Sequence, residues 1–157
     1  MLHWVFEPFR RAFDYSGRAR RKEYWSFALA TVLILMAVDW IEDSLGLGKT
    51  GPRGAESGLL GTVVLITFLT PGLAVAVRRL HDSNRAGWWL LIPVAPVLFW
   101  AIALASGLSD PAMWPVVLAA ILASPVVVLI LMCLPGTKGP NRFGPDPKAP
   151  DLAEIFR

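Results

Sequence analysis

The sequence predicts an all-α polytopic membrane protein with four transmembrane helices, and three observations lead to this fold class. Of the 157 residues, 55% are hydrophobic and 17% are charged, whereas a soluble domain has about 25% charged residues. Three uncharged stretches of 21, 24 and 27 residues cover 57–77, 86–109 and 111–137, and a fourth of 15 residues covers 24–38. A bilayer core of about 30 Å takes about 20 helical residues. The composition therefore disfavours a water-soluble enzyme, and the length favours one membrane domain over residues 1–157.

Residues 1–17 are expected to form an interfacial segment with a helix lying in the membrane plane. Its apolar side chains recur at helical spacing between charged residues: Leu2, Val5, Phe6, Phe9 and Phe13. Pro8 should limit the regularity of this helix, and a disordered tail is the alternative. Acidic residues precede the first apolar stretch, which favours a retained first helix over a cleaved signal peptide.

Four apolar segments are predicted to cross the membrane: about residues 24–41, 58–77, 88–105 and 113–134. Pro93 and Pro96 should make the first turns of the third segment irregular. The remaining residues, 135–157, are rich in proline and glycine. They are expected to form an extended or turn-like cytoplasmic tail rather than a helix.

The distribution of Lys and Arg predicts the orientation of these segments. With four crossings, 13 of the 15 basic residues lie on the side of the N-terminus and 2 on the other side. Because basic loops stay in the cytoplasm, both termini are expected to be cytoplasmic. Three crossings would place the basic tail outside and weaken this bias, so four are preferred.

Three polar segments should meet at the cytoplasmic face: residues 17–25, residues 78–82 followed by 87–89, and residues 139–147. Their sequences, GRARRKEYW, then RRLHD followed by GWW, then NRFGPDP at residues 141–147, resemble the bacterial inner-membrane family catalogued as domain of unknown function 805. The three blocks occur in the family's order, and the match covers essentially the whole chain. The resemblance implies a location in the bacterial inner membrane and implies no activity. In relatives the stretch after GWW is often shorter; here the 51 residues from Leu90 to Pro140 admit two crossings.

The basic residues of these segments suggest a site for lipid headgroups. Nearby carboxylates are too few to neutralise all the arginines, and a guanidinium can bind a phosphate with two parallel hydrogen bonds. Four arginines are the candidates for binding a headgroup or another ligand: Arg18, Arg21, Arg78 and Arg79. The alternatives are that these charges only fix the topology or only form ion pairs between helix ends.

A second set of residues is expected to form a structural polar network: Glu23, His81, Asp82, Asn141 and Arg142. Asp82 can pair with Arg78, four positions before it, or with Arg79, three positions before it, on one helix. Glu23 can reach Arg20 or an arginine of another segment. The NRFGPDP segment is expected to strap the helix ends together, with Arg142 paired to Asp82 or Glu23 and with Phe143 dipping into the membrane interface.

These features favour a binding or scaffold protein that engages anionic lipid headgroups or a partner protein. The alternative is a small oligomeric transporter or pore, for which the path-like features are Asp39, Thr67 and Thr70 with the expected kink at Pro71. The third hypothesis is a lipid-modifying enzyme that uses His81 and Asp82.

Catalytic residues, cofactors and a metal site are not expected, and neither is nucleic-acid binding. The single cysteine, Cys133, cannot form an intramolecular disulfide. A homo-oligomer or a complex with another membrane protein is possible.

Overall fold

The computed structural model describes residues 3–46, 58–108 and 110–149, and the side chains from residue 6 onward. These residues form five α-helices: α1 (His3–Arg10), α2 (Arg21–Ser44), α3 (Leu59–Asp82), α4 (Val94–Ala105) and α5 (Trp114–Cys133). Short 3-10 helices precede α4 and α5, at Gly87–Leu91 and Pro111–Met113. The described part of the chain contains no β-strand, only an isolated bridge between Asn141 and Gly144. The all-α prediction is confirmed.

Helices α2 and α3 form an antiparallel pair whose two ends are both fixed by polar contacts. At one end, Arg18 just before α2 contacts Asp82, the last residue of α3. At the other end, the buried Glu42 carboxylate accepts hydrogen bonds from the amides of Leu60 and Gly61, at 2.8 and 3.3 Å. The first turn of a helix lacks partners for its amides, so Glu42 caps α3. Gly58 allows this approach, because an added Cβ would overlap the Glu42 carboxylate.

Helix α1 packs against this pair through its aromatic side chains. The Phe9 ring lies edge-on to Phe27 of α2 at 5.6 Å and to Phe68 of α3 at 4.9 Å. Phe6 and Phe13 are exposed, whereas Leu2 and the Val5 side chain lie outside the described residues. Of the expected apolar face, one residue therefore enters the protein core and two face outward. A location of α1 in the membrane plane stays a prediction.

The chain crosses the length of the bundle again between α3 and α5. Trp89 of the 3-10 helix packs against the cluster of Ala76, Leu80, Leu131 and Met132, near the ends of α3 and α5. Trp100 of α4 instead contacts Trp114, the first residue of α5, with ring centroids 5.6 Å apart. Because α5 is about 30 Å long, these two contacts lie at opposite ends of the bundle. The segment 87–105 therefore runs antiparallel to both α3 and α5.

Three of the helical segments are long and apolar enough to cross a membrane: Arg21–Ser44, Leu59–Asp82 and Pro111–Cys133. These correspond to the first, second and fourth predicted segments. The third predicted segment starts irregularly, because Gly87–Leu91 is a 3-10 helix, and its α-helix, α4, has only 12 residues. The two prolines account for the irregular start, as expected. Four transmembrane helices are therefore not confirmed, but a helical membrane protein is supported.

Candidate functional site

The candidate site lies at the end of the bundle where α2 begins and α3 and α5 end, which we call the polar end. Its centre is Asp82, whose carboxylate is 3% exposed. The Arg18 guanidinium contacts one oxygen of this carboxylate at 2.9 Å, and Arg79 donates to the other at 2.7 Å. The predicted pair between Arg79 and Asp82 is confirmed, whereas Arg78 turns to another partner. One buried carboxylate thus lies between two buried guanidiniums.

The same two arginines hold the segment that follows α5. We call residues 134–149 the strap; they form turns without helix. Arg18 donates to the carbonyl oxygens of Thr137 and Gly139, both at 2.6 Å. Arg79 donates to the carbonyl oxygens of Met132, at 3.2 Å, and Leu134. Because a guanidinium carries five N–H donors in a fixed plane, each arginine can join a carboxylate to a turn of the main chain.

The strap approaches Asp82 closely at a glycine. A Cβ added to Gly136 would overlap the Asp82 carboxylate. On the adjacent turn, the Thr137 amide donates to the Asp82 carbonyl at 2.8 Å, and the Thr137 hydroxyl donates to the same oxygen at 3.2 Å. The end of α3 is therefore capped by the strap, which supplies donors to a carbonyl group that a free helix end would leave unpaired.

A second ion pair joins α3 to α2 and to the turn after α1. Arg78 is fully buried and donates to Glu23 of α2 at 3.2 Å. Of the two partners expected for Glu23, the arginine of another segment is thus observed. Arg78 also donates to the carbonyl oxygens of Arg11 and Asp14, at 3.0 and 2.6 Å. This one guanidinium therefore joins α3 to α2 and to the turn after α1.

The turn after α1 is itself ordered by Asp14. Hydrogen bonds from Ser16 and from the Arg11 guanidinium hold the pKa of the Asp14 carboxyl well below its usual range. The carboxylate is therefore ionised at neutral pH and keeps this turn in the conformation that presents its carbonyl groups to Arg78.

The contacts of His81 join the end of α3 to the strap and to Gly17. Its ring stacks on Phe143 with centroids 3.9 Å apart and planes 4° from parallel, and its Nδ1 lies 3.1 Å from the Gly17 carbonyl oxygen. Because a carbonyl only accepts, the proton resides on Nδ1. Phe143 thus covers one face of the histidine ring, and its place in the membrane interface stays a prediction.

Asn141 joins the strap to the end of α3. Its side-chain amide donates to the His81 carbonyl and to the Thr137 hydroxyl, both at 2.9 Å, while its side-chain oxygen accepts from the Phe143 amide at 2.9 Å. Asp146 accepts from the amides of Gly139 and Lys148, and these bonds lower the pKa of its carboxyl. Asn141 and Asp146 thus bond backbone amides two positions further on, as residues of these types do in turns.

Arg142 does not form the ion pair expected of it. It donates to the Asn84 carbonyl oxygen at 3.2 Å and lies over the Phe143 ring at 4.6 Å. Both expected partners are bonded elsewhere: Asp82 to Arg18 and Arg79, and Glu23 to Arg78. Arg18, Arg78 and Arg79 lie within the bundle and already pair with these buried carboxylates, so Arg142 bonds elsewhere.

The four arginines that were candidates for headgroup binding differ in their exposure. Arg18, Arg78 and Arg79 are enclosed and bonded to protein groups, whereas Arg21 is exposed and donates its Nε to the Leu134 carbonyl at 3.0 Å. Arg21 lines a recess of about 470 Å³ together with Arg20, Lys22 and Lys148. Arg20 also donates to the carbonyl oxygen of Pro147.

The other hypotheses have less support from geometry. Asp39 is exposed and lines a small crevice with Glu42 near the opposite end of the bundle, and the Thr67 hydroxyl donates to its own helix at Val63. No group of three or more His, Cys, Asp or Glu side chains that could hold a metal ion occurs within 3–46, 58–108 and 110–149. Cys133 is exposed.

Three important residues were not singled out from the sequence: Glu42 as a cap, and Gly136 and Thr137 as the contact with Asp82. Glu42 had a usable signal, since a carboxylate before a glycine-rich loop and an apolar helix can cap that helix. Gly136 and Thr137 depend on a close approach between segments far apart in the chain, and no local pattern marks it.

The fold and the polar end define a small helical membrane protein organised around buried arginine–carboxylate pairs. Residues 12–145 match the family described as "Protein of unknown function (DUF805)", and the chain belongs to this family. The chain is similar to inner membrane protein YhaH of Escherichia coli K12, at 30% identity over 147 residues that cover 94% of this chain and 98% of YhaH. It is similar to inner membrane protein YhaI of the same strain at 32% identity, covering 94% and 97%.

A more distant similarity, 25% over 137 residues, links it to the uncharacterized protein YiiR of that strain, covering 85% of this chain and 86% of YiiR. No solved structure matches the chain significantly. The family expected from the three sequence blocks is confirmed. The names of YhaH and YhaI place those two proteins in the inner membrane, and none of the three names indicates an enzymatic activity.

Proposed function

We propose that the protein crosses a bacterial inner membrane four times, with its polar end in the cytoplasm, and that this end binds anionic phospholipid headgroups. The observation that carries the binding proposal is the recess lined by Arg20, Arg21, Lys22 and Lys148, four basic residues from two distant segments. Engagement of a partner protein by the same surface is the competing outcome.

The fourth crossing is supported by the path of the segment 87–105, which runs from the polar end to the start of α5. A 3-10 helix rises about 2.0 Å per residue and an α-helix about 1.5 Å. The Gly87–Leu91 turn and α4 therefore extend about 28 Å together, close to the hydrocarbon thickness of about 30 Å.

The cytoplasmic orientation is supported by charge. The described residues 3–24, 78–85 and 134–149 contain twelve Lys and Arg side chains and five Asp and Glu side chains. Basic residues at this depth favour the cytoplasmic side. The buried pairs use Arg18, Arg78 and Arg79 together with Glu23 and Asp82, and the excess of positive charge remains on the surface.

The recess suits a phosphate-bearing headgroup for two reasons. Each Lys or Arg near an anionic membrane surface contributes about 1 kcal/mol of attraction, so several basic residues around one recess add to a clear preference for anionic lipid. The Arg21 side chain is also held over the end of α5 by its bond to Leu134, which fixes one positive group in place before a headgroup arrives.

The test is lipid retention by the purified full-length protein in native mass spectrometry, with phosphatidylglycerol and phosphatidylcholine of identical acyl chains as the probes. We expect phosphatidylglycerol to be retained in preference, and the preference to weaken with added salt. Lys22→Ala combined with Lys148→Ala should lower retention by roughly tenfold or more, at about 1 kcal/mol for each charge.

The matched control combines Lys138→Ala with Arg142→Ala, which removes two exposed basic residues of the strap outside the recess. This control should lower retention less than the recess variant. Equal retention of the two lipids by the unmodified protein would refute headgroup binding. Equal losses in the two variants would show diffuse charge attraction instead of a site. If the unmodified protein retains a partner protein and shows no preference between the two lipids, the partner hypothesis is favoured.

A further inference from the structure

An apolar groove follows the contact between α2 and α3. Two adjoining recesses of about 260 and 200 Å³ share Thr31 of α2 and Phe68 and Gly72 of α3. The larger recess extends to Tyr24 and Ala28, toward the polar end. The smaller one continues past Leu65 and Leu69, away from that end. The two together form one continuous groove along the helix pair.

The groove begins one helical turn from the basic recess. Arg21, Tyr24, Ala28 and Thr31 are separated by three, four and three positions in α2. Side chains at such spacing share one face of a helix. Arg21 lines the basic recess, and the other three line the groove. A molecule with an anionic head and an apolar chain would therefore meet complementary surfaces in the correct order.

The length of the groove matches a single leaflet. From Arg21 to Thr31 the rise along α2 is about 15 Å, and from Ala76 to Leu65 the rise along α3 is about 16 Å. Half of a hydrocarbon core of about 30 Å is about 15 Å. A groove that started at the headgroup level would thus contact one acyl chain from its headgroup to the middle of the bilayer.

We propose that one acyl chain of a bound anionic phospholipid lies in the groove between α2 and α3, while its phosphate is held at Arg21 and Lys22. This inference rests on the proposed headgroup binding and adds to it a chain-binding site. It makes the protein a receptor for a whole diacyl lipid, in which the apolar contacts fix the lipid's position and the basic residues select its charge.

The experiment uses the full-length protein and two probes, long-chain dioleoyl phosphatidylglycerol and water-soluble dihexanoyl phosphatidylglycerol. Phosphatidylcholines with the same two chain lengths are the reference lipids for charge preference. Ala28→Phe fills the groove. Ala37→Phe makes the same substitution nine positions further along α2, on the opposite face, where Ala37 is exposed. Ala28→Leu is the milder variant and replaces Ala28→Phe if the larger side chain prevents folding.

We expect the groove variants to lower affinity for the long-chain lipid about tenfold, which equals about 1.4 kcal/mol and corresponds to roughly two methylene groups left unburied. Binding of the short-chain lipid should be unchanged in these variants, which also shows that they are folded. The Ala37→Phe variant should match the unmodified protein with both probes.

Equal affinities of the Ala28 and Ala37 variants for the long-chain lipid would overturn the groove while leaving headgroup binding intact. A loss of both lipids in Ala28→Leu would also overturn it, because the substitution would then act on more than the chain site. Failure of the headgroup proposal gives a different result: the unmodified protein then shows no preference for phosphatidylglycerol over phosphatidylcholine with either chain length.

Discussion

Arg18 and Asp82, 64 positions apart in the sequence, form an ion pair of 2.9 Å in which neither side chain is more than 3% exposed. The second oxygen of Asp82 accepts from Arg79. Ordinary surface pairs contribute little to stability. A buried pair behaves differently, because removing one partner leaves an uncompensated charge inside the protein.

Asp82→Asn should therefore destabilise the protein strongly. The substitution leaves two enclosed guanidiniums without their carboxylate, and the expected loss is about 3 kcal/mol or more. Thermal unfolding of the purified protein in detergent measures it. Asp43→Asn removes an exposed carboxylate at the opposite end of α2 and should change the midpoint little. Similar midpoints for the two variants would contradict the central role of Asp82.

Gly136→Ala should be destabilising although it adds only one methyl group. The added Cβ would overlap the Asp82 carboxylate, so the strap would have to move away and weaken the contacts of Thr137. Gly72→Ala is the control, because its Cβ would meet Phe27 at an ordinary 3.6 Å and alanine is favoured over glycine in a helix by about 1 kcal/mol. The unfolding midpoints should move in opposite directions. A neutral Gly136→Ala would show that the strap does not press against Asp82.

Glu42→Ala tests the cap at the other end of the helix pair. Two amides of α3 lose their acceptor, and the expected cost is about 1–2 kcal/mol. Asp39→Ala removes a neighbouring exposed carboxylate of the same helix and serves as the comparison. Unfolding midpoints that fall equally in the two variants would mean that the charge at this end matters and the cap does not.

Asp146 predicts a dependence of stability on pH. The amides of Gly139 and Lys148 lower the pKa of this carboxyl, so its stabilising effect is present above its ordinary pKa. The effect is lost as the pH falls through the lowered value of the folded protein. The difference in unfolding midpoint between the unmodified protein and Asp146→Asn should be largest near neutral pH and disappear in strong acid. Asp14 is unchanged in both proteins, so its own titration cancels. A difference independent of pH would exclude this account.

The four-crossing topology predicts the outcome of reporter fusions in a bacterial host. Fusions after residues 50, 85, 109 and 157 should read outside, inside, outside and inside. The expectation rests on 13 basic residues on one side and 2 on the other. A periplasmic reporter at position 157, combined with a cytoplasmic one at 85, would replace the four crossings with three.

The long helices could be predicted from the sequence because uncharged runs of sufficient length leave few alternatives in a bilayer. The predicted starts of the second and fourth segments fall within one residue of α3 and α5. The pair between Arg79 and Asp82 was also predictable, since both lie on one turn of α3. The bounds of these helices and this ion pair depend only on the order of residues within one helix.

The partners across the polar end were harder to predict. Arg18 and Arg78 each had several carboxylates within conceivable reach, and the choice depends on how far α3 extends beyond its apolar part. It continues to Asp82, which carries Arg78 and Arg79 into the interior and leaves Arg142 outside. Burial of an arginine results from packing of several segments, and a sequence pattern of basic residues next to aromatic ones is the same for a buried and an exposed guanidinium.

The attachment of Arg18 to Thr137 and Gly139 has a consequence for biogenesis. These acceptors lie 119 and 121 positions after the arginine, so they leave the ribosome long after Arg18 does. Until then, a nascent chain that has already inserted its first helices carries guanidiniums without their final acceptors. The polar end can therefore be completed only after these turns have been made, and a chain truncated before Thr137 would present quality-control proteases with an unfinished, charged helix end.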